Sequence, residues 1–213
     1  MKQVSFVLVL LAAVILMVCQ SAASQDSAKI EKLFDDYFRE YLTLNPEKGS
    51  ELGLSKESGY YFDRAGLDDA SDAGIKANYD LARKYLSQLE AIDTTKITPS
   101  QNIDARILTW FLEVQLEGEK FVDHRYQIDH LFGVHSQLVN LMTEYHTIDD
   151  LQDAQDYLQR LEKIPIRLRQ TKERIDTQEK KGIRPPVFII DRVITDMGDF
   201  RKARRFIPLL MSS

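Results

Sequence analysis

The chain has 213 residues, with 28 Lys and Arg set against 33 Asp and Glu, and a formal net charge of −5. A mildly acidic balance lacks the concentrated basic face that nucleic-acid binders need. At 44 % hydrophobic residues the composition supports a packed core rather than a disordered chain, and the length fits one domain or one lobe of a larger one.

Lys2 precedes an apolar run from Val4 to Val18, interrupted by Ser5 alone, and small residues Ser21-Ala22-Ala23 follow. A positive start, an apolar stretch of about 15 residues and a small-residue exit form a secretory leader. That stretch falls short of the ~20 residues a helix needs to cross a bilayer. Residues 1–23 are therefore expected to be cleaved, giving an exported, periplasmic or secreted chain that starts at Ser24. Cys19 is the sole cysteine, so the remainder has no disulfide and rests on packing. A lipid anchor on Cys19 is the lesser alternative, because Val18 is bulky for lipoprotein processing.

The rest predicts an all-α, antiparallel multi-helix bundle, a single helical domain over 24–213. Ile30, Leu33, Phe34, Tyr37, Phe38, Tyr41 and Leu42 follow a helical apolar stripe. Asn45-Pro46 ends that helix and caps a short second one. Residues 54–70 read as a surface loop in which Tyr60-Tyr61-Phe62 either packs on the core, the preferred reading, or lines a cleft. Ser71 caps a helix carrying Ile75, Tyr79, Ala82, Leu86 and Leu89. Thr98-Pro99 opens another, with Ile103, Ile107, Phe111 and Val114 on one face, Leu108 and Leu112 beside it, and Trp110 expected to be buried.

A further stripe runs Leu131, Val134, Leu138, Leu141, Met142, Tyr145. Thr147 to Asp150 cap a helix whose core face is expected at Leu151, Ala154, Leu158 and Leu161. Pro165 should break or kink it. Helix resumes over 167–181 and stops at Gly182, and Pro185-Pro186 starts a last amphipathic segment over 187–197. The basic cluster Arg201-Lys202-Arg204-Arg205 reads as a solvated helix end.

No stretch spells a complete catalytic site. His124, His130, His135 and His146 are spaced six, five and eleven apart, which puts no two imidazoles on adjacent turns as a helical zinc site requires. Capping, surface or core-edge roles are expected for them, with metal storage through His130 and His135 a minor alternative. Gly-x-Ser-x-Gly, His-Glu-x-x-His and phosphate-loop patterns are missing from the sequence. The acid pairs Asp35-Asp36, Asp68-Asp69 and Asp149-Asp150 read as structural, complementing helix starts. Arg106, Arg160 and Arg167 have the chemistry to clamp a carboxylate, but nothing in their spacing makes them converge.

Five segments in order carry a resemblance: 45–53 (NPEKGSELG), 101–108 (QNIDARIL), 126–135 (YQIDHLFGVH), 156–165 (DYLQRLEKIP) and 181–186 (KGIRPP). Together they resemble the N-terminal part of the bacterial domain-of-unknown-function family 885, exported helical proteins related to zinc-dependent peptidases. The resemblance implies the N-terminal lobe of a helical zincin-like protein, one wall of a deep substrate cleft. Tyr60, Tyr61, Arg64, Tyr126, His130 and His135 are the residues it would place along that cleft. Zinc is expected only in a full-length relative, whose His-Glu-x-x-His lies downstream; this chain should have no cofactor, catalytic residue or metal ligand of its own. Expected partners are a missing C-terminal catalytic half, from a natural truncation, a gene fragment or a separately encoded partner, or a peptide substrate. No nucleic acid, and no membrane contact beyond a Cys19 lipid, is expected. The rival reading is an autonomous helical module that binds a peptide or protein partner.

Overall fold

A computed structural model describes residues 25–203 of the chain. The expected leader, Cys19 and the charged groups of the C-terminal basic cluster lie outside the described residues. The described residues form an all-α protein without strands: α1 (25–44), α2 (Pro46–Glu51), α3 (Asp72–Glu90), α4 (Pro99–Gly118), α5 (Val134–Asn140), α6 (Leu151–Lys180) and α7 (Val187–Ala203). Contacts divide the described residues into two compact units, one of residues 25–41 with 78–118 and one of residues 42–77 with 119–203.

In the first unit, α1, most of α3, and α4 bury Ile30, Leu33, Leu81, Ala82, Tyr85, Leu89, Ala105 and Leu112. A capping box starts α4: Thr98 Oγ1 accepts from the Gln101 amide at 3.2 Å, and Gln101 Oε1 accepts from the Thr98 amide at 3.0 Å. The same Gln101 side chain reaches α1, donating to Glu31 Oε1 at 2.7 Å. Glu40 of α1 accepts from Tyr85 Oη at 2.9 Å and from Lys84 Nζ at 2.6 Å. Burial first, and Glu40 second, raise the Tyr85 phenol above its ordinary range.

α4 differs from its sequence reading. Ile103, Ile107, Phe111 and Val114 point outward and Trp110 is 64 % exposed, while Gln101, Ala105 and Leu112 form the buried face. An apolar residue every three or four positions marks a face, but not which of two apolar faces meets the core.

The second unit centres on Val134, Leu138 and Leu141, with Leu67, Ile128 and Ile164 packed against them. Leu131 is exposed and precedes α5, and the chain continues from α5 into a π turn at Leu141–Tyr145. α2 has no side-chain cap from Asn45. Its Glu47 amide donates instead to Asp68 Oδ1 at 3.0 Å, so a residue 21 positions away does the capping.

α6 runs through Pro165 without a break and, at 1.5 Å per residue, spans about 45 Å. Asp150 caps it, accepting from the Asp153 amide at 2.9 Å, and Gly182 follows its end at φ 76°, the left-handed turn that favours glycine there. Its inward face corrects the leucine reading. Leu151, Leu158 and Leu161 are exposed, whereas Asp153, Arg160, Thr171, Arg174 and Gln178 are buried. Asp153, Arg160, Arg167 and Arg174 recur every seven residues, with Ile164, Thr171 and Gln178 offset between them. That is a helical seam built largely from polar side chains.

Each guanidinium of the seam holds other segments of its unit. Arg174 pairs with Asp72 at 2.7 Å and Asp123 at 3.1 Å, and Arg167 Nε stands 3.5 Å from Glu47 Oε1. Gln178 Nε2 donates to the carbonyls of Asp123 and Arg125, both at 2.7 Å. The seam organises loops as an apolar stripe would organise helices.

Candidate functional site

Arg160 is fully buried. It donates through Nε to the Gly66 carbonyl at 2.9 Å, and through Nη1 to Ser50 Oγ at 2.9 Å and His146 Nδ1 at 3.1 Å. His146 Nε2 lies 3.1 Å from the Asp153 carbonyl. A guanidinium can only donate and a carbonyl only accept, so His146 is neutral with its proton on Nε2. Burial first, and then the charges of Arg160 and Arg64, depress its pKa, in agreement with that tautomer.

The same unit holds a cleft of about 570 Å³, within the range of small-ligand and peptide sites. One wall is the loop from Leu54 to Arg64; the other is the first turns of α6, through Gln152 and Asp156. Ser55 caps a short 3-10 turn at Lys56–Ser58, which closes on Gly59 at φ 76°. Phe62 anchors the loop, its ring seated directly over Gly49 of α2. Arg64 ties the start of the loop to the segment before α6, donating to the Leu54 carbonyl at 3.4 Å and the Thr147 carbonyl at 3.2 Å.

The cations of the cleft are already matched. Lys56 Nζ meets Asp150 at 2.6 Å and Asp153 at 3.1 Å. Arg64 Nε stands 3.2 Å from Asp153 Oδ1, close enough for an ion pair but not aligned as a hydrogen bond. A second depression of about 390 Å³ on the far side of Lys56 and Arg64 is lined by Asp149, Asp150 and Asp153. What the larger cleft offers a ligand is therefore aromatic and acceptor-rich. Tyr61 is 83 % exposed, Tyr60 lies beside it, and Asp156 accepts from Gln152 Nε2 at 2.9 Å.

Three of the six sequence-chosen residues, Tyr60, Tyr61 and Arg64, line this cleft. Phe62 divides from its neighbours by turning into the core. Tyr126, His130 and His135 line neither depression. Tyr126 and His130 are exposed, and His135 is buried in the first turn of α5 beside Gly133. His124 is exposed, edge-on to Phe121. Among the described residues no group of three or more His, Cys, Asp or Glu could hold a metal ion. Arg160 and Arg167 both lie close to the Glu47 carboxyl, while Arg106 is exposed on α4. Asp35 and Asp36 pair with Arg39 and Lys32 along α1 instead of marking a helix start.

Lys56, Asp63, Gln152 and Asp156 also line the cleft; the sequence singled out none of them for it, Asp156 figuring only at the head of the 156–165 segment, although Gln152 and Asp156 share one helix face at i, i+4. Residues 46–209 match the family described as Bacterial protein of unknown function (DUF885). No curated protein and no solved structure matches the chain.

Proposed function

The chain belongs to the DUF885 family, and on that footing we propose that it acts as the non-catalytic helical lobe of an exported, zinc-metallopeptidase-like protein, holding a peptide segment in the cleft beside Tyr60 and Tyr61. The observation that carries this reading is the cleft itself. Two tyrosines and the Asp156–Gln152 pair line it, while its cations are spent on Asp150 and Asp153. Aromatic faces with a few fixed polar groups suit an extended peptide. A zinc peptidase needs three protein ligands to activate water, and in this reading those ligands come from outside the described residues. Residues 1–23 serve as the export leader in this reading: an intact mass beginning at Ser24 is the expected outcome, and a lipidated Cys19 would replace cleavage after Ala23 by an anchor.

Calorimetric titration of the exported chain with a mixture of short peptides tests it. Binding is expected, weakened about tenfold by Tyr61→Ala, the usual cost of losing one aromatic anchor. Equal affinity in the variant removes the cleft from the proposal, and peptide turnover abolished by a chelator removes the word non-catalytic. The cleft lies wholly within one compact unit, which favours a second reading, a self-sufficient peptide-binding module. A cooperative unfolding transition with little dye binding distinguishes that module from an orphaned lobe.

A further inference from the structure

α4 is apolar on two opposite faces, and its unit uses only one of them. With Ala105 and Leu112 turned inward, Ile103, Ile107, Trp110, Phe111 and Val114 stand outward, each about half exposed or more. From Ile103 the outward positions follow at spacings of four, three and four, the pattern of a coiled-coil seam. A contiguous apolar face of this size left exposed marks an interaction surface.

We propose that this face docks on the same face of a second copy, with the two α4 helices antiparallel about a two-fold axis between residues 108 and 109. In that register Ile103 of each copy faces Val114 of the other, and Ile107 faces Trp110. Arg106 and Glu113 flank the stripe along one edge, seven residues apart, and both are exposed. The two-fold brings Arg106 of each copy to Glu113 of the other, so one complementary pair is made twice. A parallel pairing would set Arg106 opposite Phe111 and leave both charges unmatched.

Area agrees with charge. The five outward side chains present roughly 600 Å² per copy, which with their polar flanks reaches the low end of the ~1,200–2,000 Å² buried in stable interfaces. A lipid surface is the poorer occupant. Asp104, Glu113 and Glu117 outnumber Arg106 on α4, and interfacial helices instead carry Lys and Arg beside their apolar face.

Sedimentation equilibrium of the exported chain tests this independently of the cleft, because α4 and the cleft belong to different units. A monomer–dimer equilibrium is expected. Ile107→Glu with Trp110→Glu should abolish it while circular dichroism stays unchanged, since both side chains are outward. Arg106→Glu alone and Glu113→Arg alone should each weaken the dimer about tenfold, and the doubly reversed variant should recover to within about threefold. Failure of that recovery overturns the proposal. So does a chain that stays monomeric at about 100 μM, a dimer that survives the Ile107/Trp110 variant, or a monomer whose α4 face is occupied by phosphatidylcholine vesicles or by another protein.

Discussion

Asp68, which accepts from the Glu47 amide, and His146, which accepts from Arg160, answer pH in opposite senses. Burial, with the Glu47 carboxyl next in effect, pushes Asp68 up to about 7, whereas burial depresses His146. A carboxyl near 3.9 in the unfolded chain and near 7 in the fold binds its proton more tightly when folded. The stability it contributes is complete below about pH 4 and is lost as pH rises through 7. A histidine depressed by folding contributes in the other direction: its stability is present above about 6.5 and is lost as pH falls through the folded value. Asp68→Asn keeps the oxygen that accepts from the Glu47 amide and removes only the first arm. In urea unfolding the variant should match the parent near pH 4 and exceed it by about 1–3 kcal/mol at pH 8. An offset that does not change with pH would remove Asp68 from this role.

Helix ends were legible because the chemistry that sets them is local. Thr98 with Gln101, Ser71 accepting from the Gly74 amide, Asp150, and Gly182 all act within a turn of where they stand. Helix faces were not. On α4 both sides are apolar, so periodicity had no way to choose between Phe111 and Leu112. On α6 the inward Arg160, Arg174 and Gln178 donate to a hydroxyl, a carboxylate and a carbonyl 50 to 110 residues away. The cleft divides in the same way. Tyr60 and Tyr61 stood out as aromatics in a loop, but Gln152 and Asp156 join them only because α6 begins beside that loop. A close approach ties the loop to α2: a Cβ on Gly49 would lie 2.5 Å from Phe62 Cγ. Gly49→Ala must displace the ring that anchors the cleft wall. The expected cost is about 1–3 kcal/mol, read as a melting temperature lower by several degrees together with weaker peptide binding. An unchanged melting temperature and affinity would show that Phe62 is not the anchor.

Across the whole chain, the first unit joins α1 and α4 through Gln101 and α1 and α3 through Glu40, while the second is gathered by the side chains of a single long helix. The consequence concerns the order of events when the second unit forms. Arg160 finds its acceptors at Gly66, Ser50 and His146, positions 94, 110 and 14 residues away. Long loops must close before its charge is satisfied, and closing them costs entropy in advance. The guanidinium should therefore be seated after the rate-limiting barrier. Arg160→Leu, which strands the groups it served and should cost about 3–5 kcal/mol, is expected to refold at nearly the parental rate and to unfold faster by two orders of magnitude or more. In stopped-flow chevrons the unfolding limb should rise while the refolding limb stays in place, so that Arg160 governs how long the native state lasts and has little part in how quickly it is reached.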